Sequence, residues 1–206
     1  MATKNAKQRG RPRSFDRDTA LEKALRSFWE NGYEATSISD LTRTMGISAP
    51  SLYAAFGDKR TLFDEVVAEY GRLYGGFLSR AVAEEPTARR GLARALREAA
   101  AEYTAPGRPR GCLVISAAQN TAPASAEVAE SLREMRLSTR RDFERVITAD
   151  IAAGELPADT DATALAHYLG AVVQGMSQQA RDGADRVTLE AVADLAMRVW
   201  PERPRP

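Results

Sequence analysis

Five cations crowd the first thirteen residues, Lys4, Lys7, Arg9, Arg11 and Arg13, with no acid among them. Positive charge without a counter-charge is chemistry for holding phosphates. The order Arg9-Gly10-Arg11-Pro12-Arg13 narrows that reading, because a thin arginine-rich segment suits an A·T minor groove, where narrowing concentrates negative potential. The bland alternative is a solvated tail. A second cationic pair, Lys59 and Arg60, falls in the first turn of a helix. The dipole disfavours cations there, and an anionic partner such as a DNA phosphate offsets that cost.

Catalytic chemistry has little to work with. The chain holds one cysteine and one histidine, too few for a typical structural zinc site or an internal disulfide. It lacks a glycine-rich phosphate loop and a serine nucleophile elbow, and Glu84-Glu85 stands beside Pro86 as a solvated helix end. No catalytic residue, metal or cofactor is expected, and the chain is read as no enzyme. Cys112 leaves two readings open. Arg108 and Arg110 precede it and a helix begins at it, both of which lower a thiol pKa and suit a redox- or electrophile-sensing thiol. The other reading is a small buried apolar residue.

The elements that position the cations are helices. Ser37 and Asp40 form a capping box, and Ile38, Leu41 and Met45 stand at helical spacing until Gly46 ends the helix in a left-handed turn. Ser48 caps the next helix with Pro50 in its first turn, and Leu52 and Phe56 give it a buried side. Two short helices joined by a glycine turn read as a helix-turn-helix, whose second helix enters the major groove. Such helices are marginal alone. Support comes from residues 15–32, where Asp16 caps a stripe of Ala20, Leu21, Ala24, Leu25, Phe28 and Trp29 closed by Asn31-Gly32. After Asp58 one long helix is expected, from Leu62 through Tyr70 to Leu78.

Further helices are expected at 88–104, 112–120, 124–153, 161–180 and 187–200. No period-two pattern appears, so the fold class is all-α, with about nine helices. The expected organisation is a basic arm at 1–14, a helix-turn-helix domain at 15–60 and a C-terminal domain at 61–206. Residues 1–60 carry 11 Lys+Arg against 7 Asp+Glu, and the remainder 18 against 21, so the basic excess sits with the helix-turn-helix. Apolar runs fall far short of a membrane span and the polar start is no signal peptide, which places the protein in the cytoplasm without a membrane partner.

Gly32-Tyr33, Thr36 to Leu41, Met45 to Ser48, Leu52-Tyr53, Phe56 to Lys59 and Leu62-Phe63 together resemble the signature of the tetracycline-repressor (TetR) family. The downstream chain is similar in helix number and order. The resemblance implies a homodimer that sets two recognition helices into successive major grooves of a near-palindromic double-stranded DNA operator. It also implies a small-molecule cavity in the C-terminal domain, joined to the head by a long fourth helix. By position, Ser48, Ala49, Pro50 and Ser51 fall at the start of the recognition helix, Tyr53 and Lys59 at phosphate-contacting places, and Ser37 at a helix N-terminus on the backbone. Ala54 and Ala55 depart from the larger residues often found there, and the helix has no Arg, Asn or Gln for bidentate base contacts.

Candidates for the cavity are Tyr74, Phe77, Tyr103, Met135, Phe143 and Tyr168, with Cys112, Gln119, Asn120, His167 and Gln174 as polar groups; each aromatic also reads as plain core. The stripes at 161–180 and 187–200 are too wide for burial within one chain, and Ala166, Gly170 and Gly175 permit close approach, so these helices are expected to dimerise. The function read from this is a ligand-responsive repressor released from DNA by a small molecule. Two alternatives stay open: a repressor sensing through Cys112, and a helical adaptor that binds only proteins.

Overall fold

The computed structural model describes residues 15–202. The basic arm, with Arg9, Arg11 and Arg13, lies outside the described residues. Among those described there are ten α-helices and no strand. The head comprises α1 (Arg17–Ala35), α2 (Ile38–Met45), α3 (Ala49–Phe56) and α4 (Lys59–Tyr70). The remainder comprises α5 (Phe77–Glu84), α6 (Ala88–Tyr103), α7 (Leu113–Ser116), α8 (Ala126–Ala152), α9 (Ala162–Arg181) and α10 (Arg186–Ala196).

Local chemistry sets the helix starts. Asp16 Oδ1 accepts from Thr19 N at 2.7 Å and Asp58 Oδ1 from Thr61 N at 2.7 Å. At α2 both halves of the capping box form: Asp40 N donates to Ser37 Oγ at 3.1 Å, and Ser37 N to Asp40 Oδ2 at 3.2 Å. The backbone N–H groups of Thr19 and Thr61 hold the Asp16 and Asp58 carboxyls below the usual carboxylate range. A depressed folded-state pKa stabilises above the unfolded value, so these caps are firm at neutral pH and loosen as pH falls through the depressed values.

Two apolar cores result. Phe28, Trp29, Leu41, Leu52, Phe56 and Phe63 are buried in the first, together with Leu113 and Ala117 at α7 and Val128 and Leu132 from α8. Phe28 meets Phe63 edge-on at 5.0 Å and Trp29 meets Tyr70 at 4.9 Å. The eight-residue α2 and α3 persist because Leu41, Met45, Leu52 and Phe56 are buried here, each such side chain contributing about 1.5–3 kcal/mol. The second core gathers α5, α6, α9, α10 and the later turns of α8 around Leu92, Leu96, Phe143, Ile147, Leu169 and Leu189.

The stripe from Leu62 to Leu78 is carried by two helices rather than one long one. A π-helical segment, Gly71–Gly75, intervenes before α5 begins at Phe77. The short helix expected over 112–120 contracts to the four residues of α7, and Gln119 and Asn120 stand exposed beyond it.

The head is tied to the rest through α1. Tyr33 N donates to Ala117 O at 2.8 Å, and Arg181 donates to the carbonyls of Trp29 and Glu30. Gly32 makes the first contact possible: its φ of 81° and ψ of 173° belong to a region nearly restricted to glycine. A side chain there would stand 3.2 Å from Ala117 O.

Candidate nucleic-acid interface and effector cavity

The start of α3 is a small, open surface. Ser48 and Pro50 are exposed, Ala49 and Ser51 half-buried, and Tyr53 is 50% exposed, while Leu52 and Phe56 point into the core. The Ser51 hydroxyl lies 2.9 Å from Ser48 Oγ, which also accepts from Ser51 N at 3.3 Å. Ser51 is therefore an accessory cap as well as a neighbour of the open surface. The Ser37 hydroxyl donates to Asp40 Oδ2 at 2.6 Å, which fixes the exposed first turn of α2. Lys59 follows Asp58 at the start of α4 with its Nζ 4.2 Å from the centre of the Tyr33 ring. It makes no ion pair among the described residues, and burial pulls its pKa down. The Glu34 carboxylate offsets part of that desolvation without forming an ion pair, so the ammonium still gains from a close anion. Arg60, by contrast, is taken up by Asp64 at 2.9 Å.

Behind the head lies a cavity of about 460 Å³ bounded by the π segment, α5, α6, α7, α8 and α9. Of the candidates named above, Phe77, Tyr103, Cys112, Met135, Phe143, His167 and Gln174 line it. Tyr74, Gln119, Asn120 and Tyr168 do not. Tyr74 packs against Trp29 at 5.3 Å under the Arg108 guanidinium. The Tyr168 hydroxyl reaches Ala196 O at 3.5 Å on the outer side of α9. The spacing rules select aromatic residues without direction, and these two point elsewhere.

The acidic-thiol reading of Cys112 is corrected by the same geometry. Arg108 pairs with Glu102 and Arg110 donates to the Ala184 carbonyl, so neither guanidinium serves the sulfur. Burial pushes the Cys112 thiol up from its ordinary value, only partly offset by the Tyr70 hydroxyl, which donates to the sulfur at 3.3 Å. The Tyr103 hydroxyl stands by the same sulfur without hydrogen-bond geometry. Cys112 is half-buried and lines the cavity. A raised pKa leaves a thiol inert at neutral pH, which disfavours the sensing alternative.

The sequence reading missed the arginines of α8. Arg133, Arg136 and Arg140 line the cavity, and among the described residues no Asp or Glu does. The signal was available as a lapse: the apolar stripe of Val128, Leu132 and Met135 resumes only at Phe143, with Arg136 and Arg140 in the gap at helical spacing. Thr139 lies between them on the same wall.

Comparison with known proteins agrees with this arrangement. Residues 20–66 match the family described as "Bacterial regulatory proteins, tetR family", and residues 91–195 match "Tetracyclin repressor-like, C-terminal domain". The chain is 38% identical over 197 residues to the HTH-type transcriptional repressor ComR of Escherichia coli K12, covering 95% of this chain and 94% of that protein. It is 30% identical over 196 residues to the repressor BdcR of the same organism, with the same shares covered. Among solved structures, a cysteine mutant of the TetR family regulator CifR, complexed with 26-base-pair double-stranded operator DNA, is similar at a TM-score of 0.88 and 44% identity, over 93% of this chain and 100% of that one. The chain belongs to the tetracycline-repressor (TetR) family of DNA-binding transcriptional regulators.

Proposed function

We propose that the protein is a homodimeric repressor that holds a near-palindromic operator through two copies of α3 and releases it when a small molecule fills the cavity. The observation that carries this reading is one short element with two attachments. Cys112, Val114 and Ile115 line the cavity, while the Ala117 carbonyl that follows α7 accepts from Tyr33 in the DNA head. Occupancy of the cavity and position of the head thus bear on the same few residues. A relative that is a repressor and a related regulator solved on operator DNA support the first half of the reading. Tyr168, Val187, Leu195 and Val199, large apolar residues exposed on α9, α10 and the turn after α10, support the homodimer. The direct test is to recover genomic fragments retained by the protein, then screen compounds for release of that DNA. Fragments with no common inverted repeat sink the operator reading.

Positioning and reading contacts separate in the head. Lys59→Ala is expected to weaken operator and random DNA by similar factors, because a phosphate contact carries no direct sequence information. Ser51→Ala is expected to weaken the operator more than random DNA, by at most about 1–3 kcal/mol. Because Ser51 Oγ also adjoins the Ser48 cap, melting temperature is measured alongside. A stability loss with unchanged specificity assigns Ser51 to the cap alone. For the arm, changing Arg9, Arg11 and Arg13 to Ala together is expected to flatten the salt dependence of binding. Each lost phosphate contact lowers the slope of log K against log salt by about 0.9, and an unchanged slope makes the arm a bystander.

A further inference from the structure

The cavity is apolar over most of its wall and positive at one place. Phe77, Tyr103, Met135, Leu137 and Phe143 make the greasy part, and α8 brings Arg136 and Arg140 one turn apart into it. Arg133, the third arginine, is already neutralised by Glu130 at 2.7 Å and Glu134 at 3.1 Å. The other two are not. Arg136 spends one Nη on the Val114 carbonyl at 2.7 Å and has no carboxylate partner among the described residues. Arg140 has no hydrogen bond or ion pair among them, and its Nε is buried without a partner. Guanidinium groups do not shed their charge by deprotonation, and a half-buried charge without a partner still forfeits part of its hydration. Two such groups in a mainly apolar pocket, with no acid among its described lining residues, form a socket for an anion.

Resting on the reading of the cavity as the effector site, we propose that its ligand is an amphiphilic anion, an apolar body ending in a carboxylate-type head held between Arg136 and Arg140. The body lies along Phe77, Leu137 and Phe143. Head capture competes with the Val114 carbonyl for Arg136, so the anion acts on α7, the element that docks against the head.

Three ten-carbon probes share one body and differ in the head: decanoate, 1-decanol and decylamine. Their binding to the full-length protein is measured by calorimetry, below the micelle concentration, with operator binding followed in parallel. Decanoate is expected to bind about tenfold or more tighter than decanol, the low end of what a hydrogen bond to a charged group contributes, and decylamine weakest. Arg140 makes no hydrogen bond or ion pair among the described residues, so Arg140→Gln keeps the fold and operator binding while the preference for decanoate over decanol falls to about threefold or less. Equal binding of decanol and decanoate, preference for decylamine, binding of none of the three, or a preference untouched by Arg140→Gln overturns the proposal. If operator binding persists in any of those cases, the regulator reading stands without the anion. Decanoate that binds through Arg140 yet releases no DNA supports the anion site and counts against the effector reading.

Discussion

Leu195→Glu is expected to leave the chain folded, monomeric at micromolar concentration and about 100-fold or more weaker on its operator, the scale on which paired attachment exceeds single attachment. Leu195 is 60% exposed, and Val187 and Val199 beside it are exposed at 73% and 57%. Within one chain these side chains face solvent, so a polar replacement costs the isolated fold no more than about 0.5 kcal/mol. On α9 the exposed Ala164 and Tyr168, one turn apart, continue the face. In a two-fold interface every substitution occurs twice on the same patch, and two carboxylates buried there without partners oppose association. Sedimentation gives the oligomeric state, and circular dichroism verifies the fold. A variant that remains dimeric with unchanged operator affinity removes this face from the interface.

Gly32→Ala is expected to destabilise the protein by about 3 kcal/mol, combining backbone strain of about 1–3 kcal/mol with damage to a buried hydrogen bond. The new Cβ would sit 3.2 Å from Ala117 O, the acceptor of the Tyr33 N–H at 2.8 Å. For a chain of this size that loss lowers Tm by about 6–12 °C. Gly71→Ala is the control. Gly71 has helical angles, φ −57° and ψ −42°, with open space about it, so the same added methyl is expected to be neutral or mildly stabilising. Equal melting of the two variants would show that the chain at Gly32 relaxes without strain.

What was legible in the sequence was local. The capping box of Ser37 and Asp40, the caps at Asp16, Ser48 and Asp58, the left-handed Gly46 and the buried Leu52 and Phe56 all depend on residues within a turn or two. Spacing carried them because three- and four-residue neighbours touch in any helix. The π segment was illegible because the apolar stripe runs unbroken from Leu62 to Leu78 whether or not the hydrogen-bond register slips. Cys112 failed for a different reason: sequence proximity of Arg108 and Arg110 says nothing about which way they turn, and both turn to other partners. The cavity arginines failed because a search for apolar residues passes over Arg136 and Arg140, which resemble a solvated face until the fold turns them toward the cavity.

The core beneath the DNA head is finished by residues more than forty positions downstream. Leu113, Ala117, Val128 and Leu132 close the cluster that Trp29, Leu41 and Phe63 begin. Recombination that transplants only the first sixty residues onto another regulator therefore strips the head of its floor, and the recipient's α7 and the opening turns of its α8 must fit a foreign surface. The unit that can be exchanged among relatives is discontinuous: the head together with residues 112–132. Chimeric regulators designed on that unit keep their melting behaviour, whereas those cut at residue 60 are expected to bind dye as partly exposed cores do. The floor of the head and one wall of the cavity are thereby one structure, since Tyr70, Cys112, Val114 and Met135 belong to both.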